Sequence, residues 1–117
     1  MSDTKILVFD DDLVHHPLFF EGLPAIFRFR GDGREALQEV KAWVPDLVLM
    51  DYSMGNGPSG ADATSSIRST FPLGTLPIVG ISTSAPCNQE MRRRGADDAV
   101  LKHLAFDWVR DWLRDQP

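Results

Sequence analysis

The chain has a single cysteine, Cys87. An internal disulfide framework is therefore excluded, and a lone thiol fits a reducing compartment. Cys87 stands near an expected helix start and reads as incidental. No apolar run approaches the ~18–20 residues that span a bilayer. The N-terminal Met1-Ser2-Asp3-Thr4-Lys5 leads into an apolar run of only about four residues, too short for the core of a signal peptide. These absences predict a cytoplasmic protein with no membrane association. Excess positive charge is lacking too. Lys and Arg total 12 against 17 Asp and Glu, a formal net charge of −5. That balance argues against sequence-independent DNA binding, and no direct contact with nucleic acid is expected. Arg92-Arg93-Arg94 is the one basic cluster. It reads as the solvated C-terminal turn of a short helix, where positive charge suits the dipole. No internal repeat and no low-complexity tract is present.

Hydrophobic residues make up 43% and charged residues 25% of the 117. Those proportions are ordinary for a globular chain that buries a core without staples, so residues 1–117 are read as one domain. Four short apolar runs each stop at a residue capable of chemistry. Ile6-Leu7-Val8-Phe9 stops at Asp10-Asp11-Asp12. Leu47-Val48-Leu49-Met50 stops at Asp51. Ile78-Val79-Gly80-Ile81 stops at Ser82. Ala99-Val100-Leu101 stops at Lys102. Runs with no polar face fit strands covered on both sides.

The pattern predicts strands over 5–9, 26–30, 47–51, 76–82 and 98–101. Between and after them it predicts helices over 13–23, 34–44, 61–71, 86–94 and 104–114. The first helix is expected to be trimmed by about a turn, with Pro17 tolerated in its first turn. His15 and His16 read as solvated first-turn residues. Buried stripes are expected at Ala36, Leu37, Val40 and Val44, at Ala63, Ser66, Ile67 and Thr70, and at Leu104, Ala105, Val109, Trp112 and Leu113. Trp108 falls at the edge of the last stripe. Alternating strands and helices imply a parallel sheet between helical layers. The expected fold is α/β, a flavodoxin-like three-layer (βα)5 unit with a five-stranded sheet in the order 2-1-3-4-5. That order sets strands 1 and 3 side by side, and open α/β sheets place ligands at the carboxyl edge.

Three or four carboxylates in one crevice raise each other's pKa, and a divalent cation relieves the conflict. The ligands are all oxygen, with no histidine or cysteine converging, so Mg²⁺ is the expected metal. A carboxylate beside it can attack phosphorus. A lysine and a hydroxyl suit the charged oxygens of the transferred group. The glycine-rich stretch 55–60 is not a phosphate-cradling loop, because no Lys-Ser/Thr pair follows it. It reads as a mobile flap.

These residues carry a resemblance. The chain resembles the receiver domain of two-component response regulators, over essentially its whole length. The matching stretches are Ile-Leu-Val-Phe-Asp-Asp-Asp at 6–12, Asp-Gly-Arg-Glu-Ala-Leu at 32–37 and Pro-Asp-Leu-Val-Leu-Met-Asp-Tyr-Ser-Met at 45–54. Pro-Ile-Val-Gly-Ile-Ser at 77–82 and Gly-Ala-Asp-Asp at 95–98 leading to Lys102 complete the series. The resemblance implies that Asp51 is the phosphoacceptor, that Ser82 is the switch hydroxyl, and that Lys102 pairs with the phosphoryl group. It implies that Asp10, Asp11, Asp51 and the backbone carbonyl of Ser53 hold Mg²⁺, with Asp12 less critical. Ser53 and Ser84 fall where the family tunes dephosphorylation, and both are small enough to admit water. The implied donor is a histidine kinase or phosphotransfer protein. The implied output is protein–protein interaction with an unknown downstream partner, in the manner of a chemotaxis-type single-domain receiver. The chain ends soon after the last helix, so either docking or a longer parent chain would supply the output. A turnover phosphatase is not expected, because such sites carry an acid two residues past the nucleophile and Ser53 stands there.

The chain also departs from the family pattern. His103 follows Lys102 where the family has a proline with a cis bond before it. A non-proline cis bond costs about 2.5–4 kcal/mol, so a trans bond and an altered loop are expected. His103 reads as an exposed loop residue. Ala99 stands where the family has an aromatic switch residue, and Gly55 stands where it has a proline. These departures motivate an alternative in which the fold persists as an interaction module with weakened switching.

Overall fold

A computed structural model describes residues 3–116. Five parallel strands form one sheet: β1 Lys5–Phe9, β2 Ile26–Arg30, β3 Leu47–Met50, β4 Ile78–Gly80 and β5 Asp98–Ala99. Their order is β2-β1-β3-β4-β5. Four α-helices connect or follow them: α1 Ala36–Trp43, α2 Gly60–Arg68, α3 Ala85–Arg93 and α4 Ala105–Arg114. The expected sheet and its order are therefore observed, with four α-helices among the described residues in place of five.

The period of two along each strand divides the core into two layers. Leu7, Phe9, Val48, Met50 and Ile78 pack with Ala36 and Val40 of α1, Ala61, Ala63 and Ile67 of α2, and Met91 of α3. Ile6, Val8, Leu47, Leu49 and Val79 face the other way, onto Leu13, Phe20, and Ala105 and Val109 of α4. The central strands are buried on both faces, which is why their sequences show no alternation.

The helix expected over 13–23 is absent. Two 3-10 turns replace it, Leu13–His15 and Pro17–Phe20. The residue before a proline is driven out of the helical region, and His16 sits at φ −132°, ψ 62°. Pro17 also offers no N–H to continue a ladder. Aromatic packing fills the missing layer. Phe20 stacks on Phe27 at 4.8 Å and 3° and lies 6.5 Å from Phe29.

Other boundaries move for identifiable reasons. Pro45 ends α1 at Trp43, and Val44 turns into the left-handed region at φ 54° and is exposed. Trp43, not Val44, packs against the core. Helix α2 starts at Gly60 because the Ser59 hydroxyl caps the N–H of Asp62. It ends at Arg68, whose guanidinium donates to the carbonyls of Phe71, Leu76 and Gly95. That side chain organises the turn where more helix was expected. Ser66 and Thr70 are exposed, and Thr64 is buried in their stead. Leu104 is exposed, and Trp112 and Leu113 are half-buried against the core. Strands β4 and β5 are shorter than expected, yet Ile81 N–H still donates to Met50 and Val100 N–H to Gly80.

Phe20→Ala is expected to lose about 3–5 kcal/mol in urea denaturation, because it empties the aromatic layer. Leu18→Ala, on the exposed side of the same turn, is expected to stay within about 0.5 kcal/mol of the parent. Equal effects would contradict the packing role of the second 3-10 turn.

Candidate functional site

The sheet register builds the site. Phe9 pairs with Met50, Met50 with Gly80, and Gly80 with Ala99. This last row runs straight across four strands. The residues just past it, Asp10, Asp51, Ile81-Ser82 and the segment to Lys102, are delivered to one edge. The N–H of Asp51 donates to Phe9 at 2.8 Å, which locks the two acid-bearing strand ends together.

Asp10 is fully buried. Its Oδ1 accepts from the N–H groups of Asp12 and Leu13 at 2.8 and 2.9 Å. This cap starts the first 3-10 turn and fixes the carboxylate. Its Oδ2 is buried too and pairs with Lys102. The Lys102 ammonium lies 2.8 Å from that oxygen and 3.5 Å from Asp51 Oδ2. Asp51 Oδ1 accepts from Tyr52 N–H at 2.8 Å. One carboxylate oxygen from each of Asp10, Asp11 and Asp51 lies within 4.8 Å of the others, with Asp11 exposed and the other two buried. Three hard oxygen donors converging within one small volume, with no nitrogen or sulfur ligand among them, fit a small divalent cation.

Electrostatics follow from this crowding. Burial and then the Asp10 charge push the Asp51 carboxyl up to about 6, against the pull of Lys102 and the Tyr52 N–H, with Asp11 adding to the rise. Burial acts to lower the Lys102 ammonium, but the Asp10 hydrogen bond and the charges of Asp51, Asp10 and Asp12 outweigh it and raise the group. The lysine therefore stays charged.

Ser82 is buried two residues past β4. Its Oγ accepts from Ser84 N–H at 3.0 Å. Ser53 is exposed two residues after Asp51, and Asp12 is exposed beside His16, 3.6 Å away. His15, His16 and His103 are exposed. Every described peptide bond is trans, and a 3-10 turn occupies Lys102–Leu104. Arg92 and Arg94 are pinned to Asp98 and Asp62, so the basic cluster closes α3 against its neighbours.

Two residues of the site region carry no obvious sequence signal. Asn88 of α3 is buried and grips the Ser82 backbone at both N–H and carbonyl. Gly60 read as one more loop glycine. A Cβ there would collide with the Asp51 carbonyl oxygen. The α2 backbone can approach β3 only because that position has no side chain. The loop 55–60 is thus anchored at its far end, where Gly60 N–H donates to Tyr52 at 2.7 Å.

An acid triad, a half-buried lysine and a hydroxyl at the carboxyl edge of a 2-1-3-4-5 sheet define a receiver-like site. The family profile of the response regulator receiver domain matches residues 6–114. The chain belongs to that family, as a receiver domain of two-component signalling with a flavodoxin-like fold. Oxygen regulatory protein NreC of Staphylococcus aureus is 32% identical over 108 residues, covering 85% of this chain and 48% of NreC. The chain thus spans about half the length of that curated relative. Two solved structures share the fold. The phosphorylated cyanobacterial phytochrome response regulator RcpA superposes with TM-score 0.79 at 22% identity, covering 99% of this chain and 98% of that one. A LuxR-family response regulator from Aurantimonas sp. SI85-9A1 superposes with TM-score 0.75 at 22% identity, covering 97% and 84%.

Two measurements check this site. Asp51 ionises at 3.8 as an ordinary aspartate and at about 6 in the fold. Between those values the folded state holds a proton that the unfolded state has lost. Its contribution to stability therefore declines as pH rises through that window and is level above it. Carboxyl-carbon NMR of the metal-free protein is expected to place the Asp51 midpoint near 6, and Mg²⁺ to pull it down. A midpoint at or below about 4 would contradict the crowding. Separately, Gly60→Ala is expected to lose about 3 kcal/mol or more in urea denaturation, and Gly57→Ala less than about 1 kcal/mol. A tolerated alanine at 60 would contradict the close approach of α2 to Asp51.

Proposed function

We propose that residues 1–117 form one phosphoacceptor switch domain, working in the cytoplasm, that takes a phosphoryl group onto Asp51 from a histidine kinase or phosphotransfer protein. The observation that carries this reading is the convergence of the Asp10, Asp11 and Asp51 carboxylates within 4.8 Å, with the Lys102 ammonium against two of them. In the transfer an Asp51 oxygen forms a bond to phosphorus, and the bond from phosphorus to the donor histidine nitrogen breaks. The nitrogen leaves with the electron pair. Lys102 exchanges part of its pairing with Asp10 and Asp51 for an oxygen of the incoming group. Ser82 gives up its Ser84 contact and donates its hydroxyl proton to a second oxygen.

Mg²⁺ would be held by Asp10, Asp11, Asp51 and the Ser53 carbonyl, and its chemistry is neutralisation of the charge that gathers on the transferred group. Asp10 keeps its capped geometry throughout, so it enters the reaction preorganised. Ser53 and Ser84 are small and leave the phosphorylated carboxyl open to water, which returns the domain to its resting state. The domain is read as a switch and not a turnover enzyme, because Ser53 stands two residues past Asp51, where a turnover phosphatase carries the acid that protonates its leaving group.

The output lies in protein–protein contact, with an unknown downstream protein or with further segments of a longer chain. Of the two sources of output left open by the sequence, docking by a single-domain receiver and a longer parent chain, NreC favours the second, since about half of it lies outside the match. A LuxR-family regulator also stands among the structural neighbours. The receiver itself, at net charge −5, is not the part that would touch nucleic acid. Ala99 favours a second reading, an interaction module with weakened switching. Acetyl phosphate with Mg²⁺, read by intact mass, decides between them. The wild type is expected to gain one phosphoryl group, and to lose that gain on chelation or in Asp51→Asn. No gain in the wild type, or an equal gain in Asp51→Asn, would overturn the proposal.

A further inference from the structure

The site needs a route to the surface, and Ala99 supplies no aromatic ring to turn. A different set of contacts spans the same face. Asn88 Oδ1 accepts from Ser82 N–H at 3.0 Å. Its Nδ2 donates to the Ser82 carbonyl at 3.2 Å and to the Val100 carbonyl at 3.0 Å. One buried amide thus commits its acceptor and both its donor hydrogens to two backbone segments. The first segment carries the site hydroxyl. The second lies two residues before Lys102.

Arg92 follows on α3 about one turn later. It donates to Asp98 Oδ1 at 2.7 Å and to the Ala99 carbonyl at 3.3 Å. The other oxygen of Asp98 accepts from the Trp108 indole at 3.0 Å, and Trp108 stacks on Trp112 at 6.5 Å. Asp98 therefore joins α3, β5 and α4. A cavity of about 280 Å³ lined by Asn88, Arg92, Ala99 and Val100 leaves room for these side chains to rearrange.

We propose that Asn88 is a positioning residue that couples Ser82 to the Trp108 surface through Val100 and the Arg92–Asp98 pair. It stands in for the ring missing at Ala99. When the Ser82 backbone shifts as its hydroxyl turns to a phosphoryl group, Asn88, which grips that backbone at N–H and carbonyl, must follow it or release it. Either event alters the hold on Val100 and shifts α3 against Asp98. The inference rests on the proposed roles of Asp51 and Ser82.

Beryllofluoride with Mg²⁺ serves as the phosphoryl probe, its uptake read by fluorine NMR. In the wild type, the Asn88 side-chain amide and the Trp108 indole proton are expected to shift together with the Ser82 amide, at one midpoint. In Asn88→Ala, shown folded by circular dichroism, uptake is expected to persist while the Trp108 shift is lost. Asn88→Asp keeps the side-chain shape but sets an oxygen against the two carbonyls, and is expected to lose the Trp108 shift as well. A full Trp108 shift in either folded variant overturns the coupling. So does a wild type in which Ser82 moves while Asn88 and Trp108 stay still, a result that needs no variant to fold. No uptake by the wild type overturns the phosphoacceptor reading, and the coupling with it; uptake with a silent Trp108 overturns the coupling alone.

Discussion

The Lys102 ammonium, set between Asp10 and Asp51, is the interaction on which the site depends. Two buried carboxylates side by side are unfavourable, and Asp51 shows it by holding its proton to about 6. The lysine, 2.8 and 3.5 Å from them, makes the arrangement tolerable without removing the conflict. A pair that is only partly compensated is poised to accept something else. A cation among the acids and an anion against the lysine would complete the charge balance. The proposed role, a metal and a phosphoryl group held together, uses both halves of that imbalance.

That poise requires accurate placement, and the sheet provides it. The paired row Phe9, Met50, Gly80 and Ala99 aligns four strand ends. The Asp10 cap and the Tyr52 N–H then orient the two buried carboxylates. Gly60 allows α2 to press on the Asp51 backbone from one side. Asn88 ties the Ser82 segment to the Lys102 segment from the other. Asp10 and Asp51 are therefore held by backbone N–H groups just past the strand ends, and the backbone that carries the Ser82 hydroxyl is held by the Asn88 side chain.

Much of this was legible in the residues. Parallel strands buried on both faces leave continuous apolar runs, so β1, β3 and β4 and the acids that end β1 and β3 could be read directly. The segment 13–23 could not, because Pro17 and His16 impose local backbone limits that outweigh its helical pattern. A weak stripe on α2 pointed to Ser66 and Thr70, whereas tertiary packing selected Thr64. Asn88 was illegible for a different reason. Its partners are backbone groups of residues six and twelve positions away, and no pattern in sequence marks a side chain that bonds to distant backbone. Gly60 was visible as a glycine but not as a contact, since the close approach to Asp51 arises only when α2 packs on β3.

The central claim is that one pocket accepts a divalent cation and a phosphoryl-like group side by side. A crystal structure of the protein with Mg²⁺ and beryllofluoride tests it most directly. The account predicts a metal among Asp10, Asp11, Asp51 and the Ser53 carbonyl, and the beryllium adduct on an Asp51 oxygen with Lys102 and Ser82 turned toward its fluorines. A metal or adduct bound elsewhere, or Lys102 still closed on Asp10 and Asp51 with both ligands present in excess, would contradict it.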